Sequence, residues 1–114
     1  MTLYSREAEL FEQVLPLFNA MGDKTRQQLI CHLGPGVQIS VGELTHLTKL
    51  SRPAVSHHIK VLRDAGIVTE VKRGRKRFYQ PTFLKYIAPM RELLDCVEKI
   101  EKDVRRREQE KARG

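Results

Sequence analysis

The chain has no tryptophan, only seven aromatic residues, and just two cysteines, Cys31 and Cys96, among its 114 residues. With so few rings, the core has to be built mainly from aliphatic side chains. Two thiols cannot make the disulfide framework of a small secreted domain. No run approaches the ~18 apolar residues that cross a bilayer. The opening MTLYSREAEL has neither a basic flank nor an apolar stretch and does not read as a signal peptide. The expected compartment is therefore the cytoplasm. Catalytic patterns are missing too: no Ser-His-acid or Cys-His arrangement is legible, and no glycine loop is shaped to cradle phosphate. The chain does not read as an enzyme, and no cofactor is expected.

Acidic residues are scarce in one place. Residues 49–77 hold only Asp64 and Glu70 against nine bases: Lys49, Arg52, Lys60, Arg63, Lys72, Arg73, Arg75, Lys76 and Arg77. The chain has 21 Lys and Arg against 14 Asp and Glu, so twelve of each remain elsewhere and the whole net charge of +7 sits in this window. A solvated basic face is the plain alternative, but it leaves such complete segregation unexplained. A concentrated positive field attracts a polyanion, and nucleic acid, such as double-stranded DNA, is the first candidate.

What the chain does have is period. Leu10, Phe11, Val14, Leu15, Phe18 and Met21 recur at helical spacing over residues 5–21, where Pro16 is expected to bend or divide the helix. Gly22-Asp23 ends it, and Asp23 can cap a second helix whose apolar face is Leu29, Ile30 and Leu33. Gly34-Pro35-Gly36 is a stop. Ser40-Val41-Gly42-Glu43 reads as a capping box opening a short helix to about Leu47, with Leu44 and Leu47 inward. Ser51 caps the next helix and Pro53 falls in its first turn, where a missing N–H costs little. Val55, Ile59 and Leu62 form its buried stripe, and Gly66 is its exit.

From residue 67 the period becomes that of strands. Residues 67–73 and 76–80 flank a turn at Gly74-Arg75 and read as a β-hairpin. After Pro81 a long helix runs to about residue 110. Ile87, Met90, Leu94, Val97 and Val104 lie on one stripe, with Leu93, Cys96 and Ile100 beside it. Some thirty helical residues span about 45 Å, longer than so small a domain is wide, which argues for a partner chain. The final KDVRRREQEKARG is expected to fray.

These elements predict a mainly α fold with a small β-hairpin: a winged helix-turn-helix in the order four helices, two strands, one long helix. A single domain covers 1–114, with the helix-turn-helix at about 41–65, the wing at 67–80, and long helices at about 5–21 and 82–110. In this geometry the second helix of the pair enters the major groove with its N-terminal turn toward base edges. Val55, Ile59 and Leu62 pack underneath, leaving Arg52, Ser56, His57 and Lys60 outward. Arginine can pair bidentately with guanine, and short hydroxyls and imidazoles approach bases and phosphates closely. Ser51 reads first as a cap, and His57 and His58 could be ordinary helix-surface histidines.

Three stretches carry a resemblance: LFNAMGDKTRQQLICHL for the first two helices, VGELTHLTKLSRPAVSHHIKVLRDAGIV for the helix-turn-helix, and VKRGRKRFYQ for the wing. Over roughly residues 10–81 the chain resembles the ArsR/SmtB family of bacterial winged-helix repressors. The resemblance implies a homodimer built from the first and last helices, an imperfect palindromic operator near its own or a neighbouring operon, and an effector that loosens binding. By position, Arg52, Pro53, Ser56 and His57 would face bases and phosphates. His58 would pack or touch phosphate, and Arg73, Arg75 and Lys76 would lie on the backbone or in the minor groove. Lys49 and Ser51, at the approach to the reading helix, complete the candidate DNA-binding set. The alternatives are a repressor of this type without an effector, or a winged helix used for protein–protein contact.

Two departures from the family pattern bear on the effector. Glu43-Leu44-Thr45-His46-Leu47 stands where a thiolate metal site would need Cys-x-Cys. No histidine follows His58, and carboxylates such as Asp95 and Glu98 alone make a poor zinc site, so no metal is expected. Cys31 and Cys96 fall on helices that carry paired cysteines in a redox- and persulfide-sensing branch of the family. The resemblance therefore makes them a candidate redox switch, against the plainer role of two small buried hydrophobes.

Overall fold

A computed structural model describes residues 5–34 and 38–114. The stop at Gly34-Pro35-Gly36 falls, from Pro35 onward, outside the described residues, as does the start of MTLYSREAEL. The elements are α1 (Ser5–Met21), α2 (Lys24–His32), β1 (Ile39–Ser40), α3 (Val41–Thr48), α4 (Arg52–Asp64), β2 (Val68–Arg73), β3 (Lys76–Pro81) and α5 (Leu84–Arg113). They divide into two compact units: Pro16–Phe83, and the segments up to Leu15 and from Leu84.

In Pro16–Phe83, each helix begins where a short polar side chain can satisfy an orphan amide. Asp23 Oδ1 accepts from the Thr25 N–H at 2.8 Å, Ser40 Oγ from Glu43 N–H at 3.2 Å, and Ser51 Oγ from Ala54 N–H at 3.2 Å. The capping box closes through side chains: the Ser40 hydroxyl donates to Glu43 Oε1 at 3.3 Å. At the end of α4, Gly66 takes φ +78°, its N–H meets the Arg63 carbonyl, and the Ile67 N–H meets that of Leu62. These paired bonds, with Leu62 and Ile67 both fully buried, seal the helix and start the strand. The core is aliphatic: Leu29, Leu33, Leu44, Val55, Leu62, Ile67 and Val68 are essentially inaccessible to solvent.

Four expectations are corrected. Leu47 is not inward but 52% exposed. In a helix of only two turns, Leu44 takes the inward position, and three residues on the helix has rotated by about 60° away from it. Pro16 does not divide α1, which is continuous over Ser5–Met21 because one missing donor leaves its neighbours bonded. The tail does not fray: α5 is helical to Arg113, with Arg105 paired to Glu101 and Arg107 to Asp103 one turn earlier. A third strand, β1, joins the hairpin in the order β1-β3-β2, with Ile39 opposite Tyr79. At two residues it is too short to show alternation in sequence.

In the other unit, Leu10, Val14, Tyr86 and Leu93 are buried. Arg6 grips Glu92 with both arms of its guanidinium, Nε to Oε1 at 2.8 Å and Nη2 to Oε2 at 2.7 Å, tying α1 to α5. That hydrogen bonding holds the Glu92 carboxyl below the usual range. Yet Phe11 and Leu15 on α1, and Ile87, Leu94, Val97 and Val104 on α5, remain exposed.

Candidate nucleic-acid interface

The link between α3 and α4 is three residues long. Lys49 ends α3 in the left-handed region, φ +59°, and its N–H bonds to the Thr45 carbonyl. Ser51 then caps α4, with Pro53 in the first turn. This tight turn leaves Lys49, Ser51, Arg52, Pro53, Ser56, His57 and Lys60 exposed, while Val55, Ile59 and Leu62 face the core. The N-terminal end of the α4 dipole adds positive potential beside Arg52.

The hairpin brings a second set of cations to the same place. Gly74, φ +63°, and Arg75 form a two-residue turn between the paired Arg73 and Lys76. A positive first φ followed by an ordinary one has the sign pattern of a II′ hairpin turn. A cleft of about 460 Å³ is lined by Glu43 of α3, Arg52 and Ser56 of α4, and Arg75, Lys76 and Arg77 of the hairpin. Arg73 lies apart, lining a different hollow with Gln38, Phe78 and Gln80. Lys60 shares a smaller cleft with Ser56, Arg63 and Arg77.

His57 and His58 take different positions. His57 is exposed, whereas His58 is half-buried, its Nδ1 3.3 Å from Nη1 of Arg26 on α2. A guanidinium can only donate, so Nδ1 is the acceptor in this contact. Arg26 also donates from Nε to the Ala20 carbonyl at 2.6 Å and lies 3.3 Å from Asp23 Oδ2. Gln27 Nε2 donates to the Met21 carbonyl at 2.6 Å. The last carbonyls of α1 are thus satisfied by α2, and the same arginine holds the reading helix through His58.

The model of the family described as "Bacterial regulatory protein, arsR family" matches residues 23–70. The chain is 34% identical over 71 residues to an uncharacterized HTH-type transcriptional regulator of Methanocaldococcus jannaschii, covering 62% of this chain and 80% of that one. The chain belongs to the arsR family. It is 41% identical over 63 residues to an HTH-type transcriptional regulator of Mycobacterium tuberculosis, covering 55% of this chain and 58% of that protein, less than two thirds of its length. The structure of reduced HlyU from Vibrio cholerae superposes with a TM-score of 0.65 at 32% identity, covering 81% of this chain and 95% of that one. This arsR-family chain is accordingly a DNA-binding transcriptional regulator with a winged helix-turn-helix fold, and its family is one of regulators rather than enzymes.

Within this arsR-family chain, Cys31 is exposed on α2 and Cys96 half-buried on α5, in different units. Burial first, then the neighbouring Glu7, pushes the Cys96 thiol up, disfavouring its thiolate. Among the described residues, no group of three or more His, Cys, Asp or Glu side chains could hold a metal ion. Sequence reasoning missed two clusters: Arg26 with His58, and Glu70 with Tyr79, Arg63 and Arg77. The Asp23–Arg26 spacing of three hinted at the first, and nothing local signalled the second. In that second cluster, burial and the adjacent Glu70 raise the Tyr79 hydroxyl above its ordinary value.

Proposed function

We propose that this regulator is a homodimeric repressor binding an imperfect palindromic operator in its own or a neighbouring promoter. Each α4 lays its N-terminal turn in a major groove. Arg52, Ser56, His57 and Lys60 face base edges and nearby phosphates, Arg75 and Lys76 of the wing straddle the adjoining backbone, and Arg73 meets it from the wing's other side. Lys49 and Pro53 flank the phosphate at the helix start. Ser51 serves as the cap, and His58 holds the reading helix rather than the duplex. The observation carrying this reading is the single cleft that joins Arg52 and Ser56 to Arg75 and Lys76. The exposed apolar side chains of α1 and α5 supply the dimer face. A duplex target is reached in the cytoplasm.

The test is selection of a preferred duplex from a random pool, followed by binding titrations from 50 to 200 mM salt. With 6–10 phosphates contacted, affinity should fall about 10³–10⁵-fold, and half-sites should lie about 34–36 Å apart or a multiple of it. Arg52→Ala should relax base preference at one position, while Arg75→Ala should weaken all duplexes alike and lower the salt slope by about 0.9. Equal binding to every duplex would make the chain an architectural protein; no binding to any would make it a protein-interaction module.

An effector acting on Cys31 and Cys96 would form an S–S bond as the two thiols give two electrons and two protons to a peroxide- or persulfide-class oxidant. Attack would begin at the exposed Cys31, since burial and the neighbouring Glu7 disfavour the Cys96 thiolate. Operator affinity unchanged by oxidant in the wild type would end this reading.

A further inference from the structure

We infer that Glu70 is a specificity-determining residue, whose carboxylate withholds Arg63 and Arg77 from phosphate and so leaves the free positive charge to the other seven bases of the 49–77 window. This rests on the operator-binding reading above. All nine bases of the 49–77 window are exposed, yet among the described residues only Arg63 and Arg77 are ion-paired, and both to Glu70. Asp64, the other acid of the window, pairs with none of them.

The carboxylate is held in place. Glu70 sits on β2 directly opposite Tyr79 of β3, whose side chain is buried and whose hydroxyl donates to Oε1 at 3.2 Å. The same oxygen lies 3.6 Å from Arg63 Nη1 and 3.7 Å from Arg77 Nη1. With only 20% of its side chain exposed, Glu70 is screened less than a surface acid would be.

The consequence follows from how DNA is read. Phosphate contacts supply affinity without sequence information, and each adds about 0.9 to the salt slope. Arg63 lies eleven residues along α4 from Arg52, about 16 Å from the turn that meets the bases. In a docked operator complex a freed Arg77, which lines the main cleft, would add one contact, whereas an unpaired Arg63 would reach little. A non-specific complex is not bound to that pose and could tilt to use both arginines. Freeing them therefore favours random DNA over operator.

The experiment compares the wild type with Glu70→Gln, which keeps an acceptor for Tyr79 and removes the charge. The probes are the selected duplex and a random duplex of equal length. On random DNA the salt slope should steepen by about 0.9–1.8, with affinity at 50 mM salt rising roughly tenfold. Selected-duplex affinity should change less than about threefold, and Glu70→Asp should restore wild-type behaviour. In the wild-type background Arg77→Gln should leave the random-duplex slope unchanged; a fall of about 0.9 there would overturn the inference. So would a parallel loss of both affinities in a folded Glu70→Gln, the mark of a merely loosened wing. A wild type with no preferred duplex would instead sink the operator reading, and the random-duplex slope would still decide whether Glu70 withholds charge.

Discussion

The unit Pro16–Phe83 and the α1–α5 unit differ in how far they cover their apolar side chains: among the described residues the first leaves Phe18 and Leu47 exposed, the second a longer row. In the first, leucines such as Leu29, Leu44 and Leu62 are fully buried and helix ends are closed by neighbouring side chains. In the second, Leu94 is 67% exposed, and Phe11, Leu15, Ile87, Val97 and Val104 accompany it into solvent. The ion clusters differ in the same sense. Arg26, 16% exposed, joins α1, α2 and α4, whereas the Arg6–Glu92 fork lies open to water. One unit buries most of its large apolar side chains within the chain; the other leaves the row that is proposed above as a dimer face.

Five substitutions would break or sharpen that contrast. The largest effect should come from Leu94→Glu. It replaces an already exposed side chain and should leave the monomer folded, but burying a carboxylate in a dimer face should dissociate it. Operator affinity should then fall at least about a thousandfold, about 4 kcal/mol. Sedimentation or light scattering showing an intact dimer would refute the assignment of that face. Leu62→Ala should cost about 3 kcal/mol in folding, read from the urea midpoint, because the cavity it leaves lies in a filled core. The same truncation at Leu94 should barely move the midpoint of the isolated monomer.

Arg26→Met should come next, at about 2 kcal/mol, since it leaves the Ala20 carbonyl and His58 Nδ1 without their donor. Its distinguishing sign should be a loss of operator affinity without loss of salt slope, as the guanidinium is engaged by Ala20, His58 and Asp23. Smallest of all should be Glu92→Gln. The folded-state carboxyl is held low by Arg6, so the pair stabilises the protein above the ordinary carboxylate range. That contribution is lost as pH falls through the depressed value. The wild type should weaken on acidification below about pH 4, and Glu92→Gln should flatten that part of the profile, followed by urea midpoints from pH 6 to 3.

Much of the reading unit was legible in the chain itself. Asp23, Ser40 and Ser51 were visible as caps, because a cap needs only a short acceptor three residues or fewer from a free amide. The stripe Val55, Ile59, Leu62 and the turn at Gly74-Arg75 were visible for the same local reason. The charge window marked the unit that is proposed to meet DNA. Leu47 was misread because a two-turn helix offers too few positions for period to separate inward from outward. The tail was misread because its length of mixed charge hid the turn-spaced pairs of Arg105 with Glu101 and Arg107 with Asp103. β1 escaped because two residues carry no pattern.

What the sequence determined by itself was where each element begins, ends and turns, and where the positive field is concentrated, since these depend on residues within a few positions of one another. Only the tertiary structure decided which of several like residues is spoken for. His58 rather than His57 meets Arg26, and Arg63 and Arg77 rather than Arg75 and Lys76 are held by Glu70. Those choices are made by side chains separated by up to 32 positions along the chain, brought together when strand and helix pack on one core.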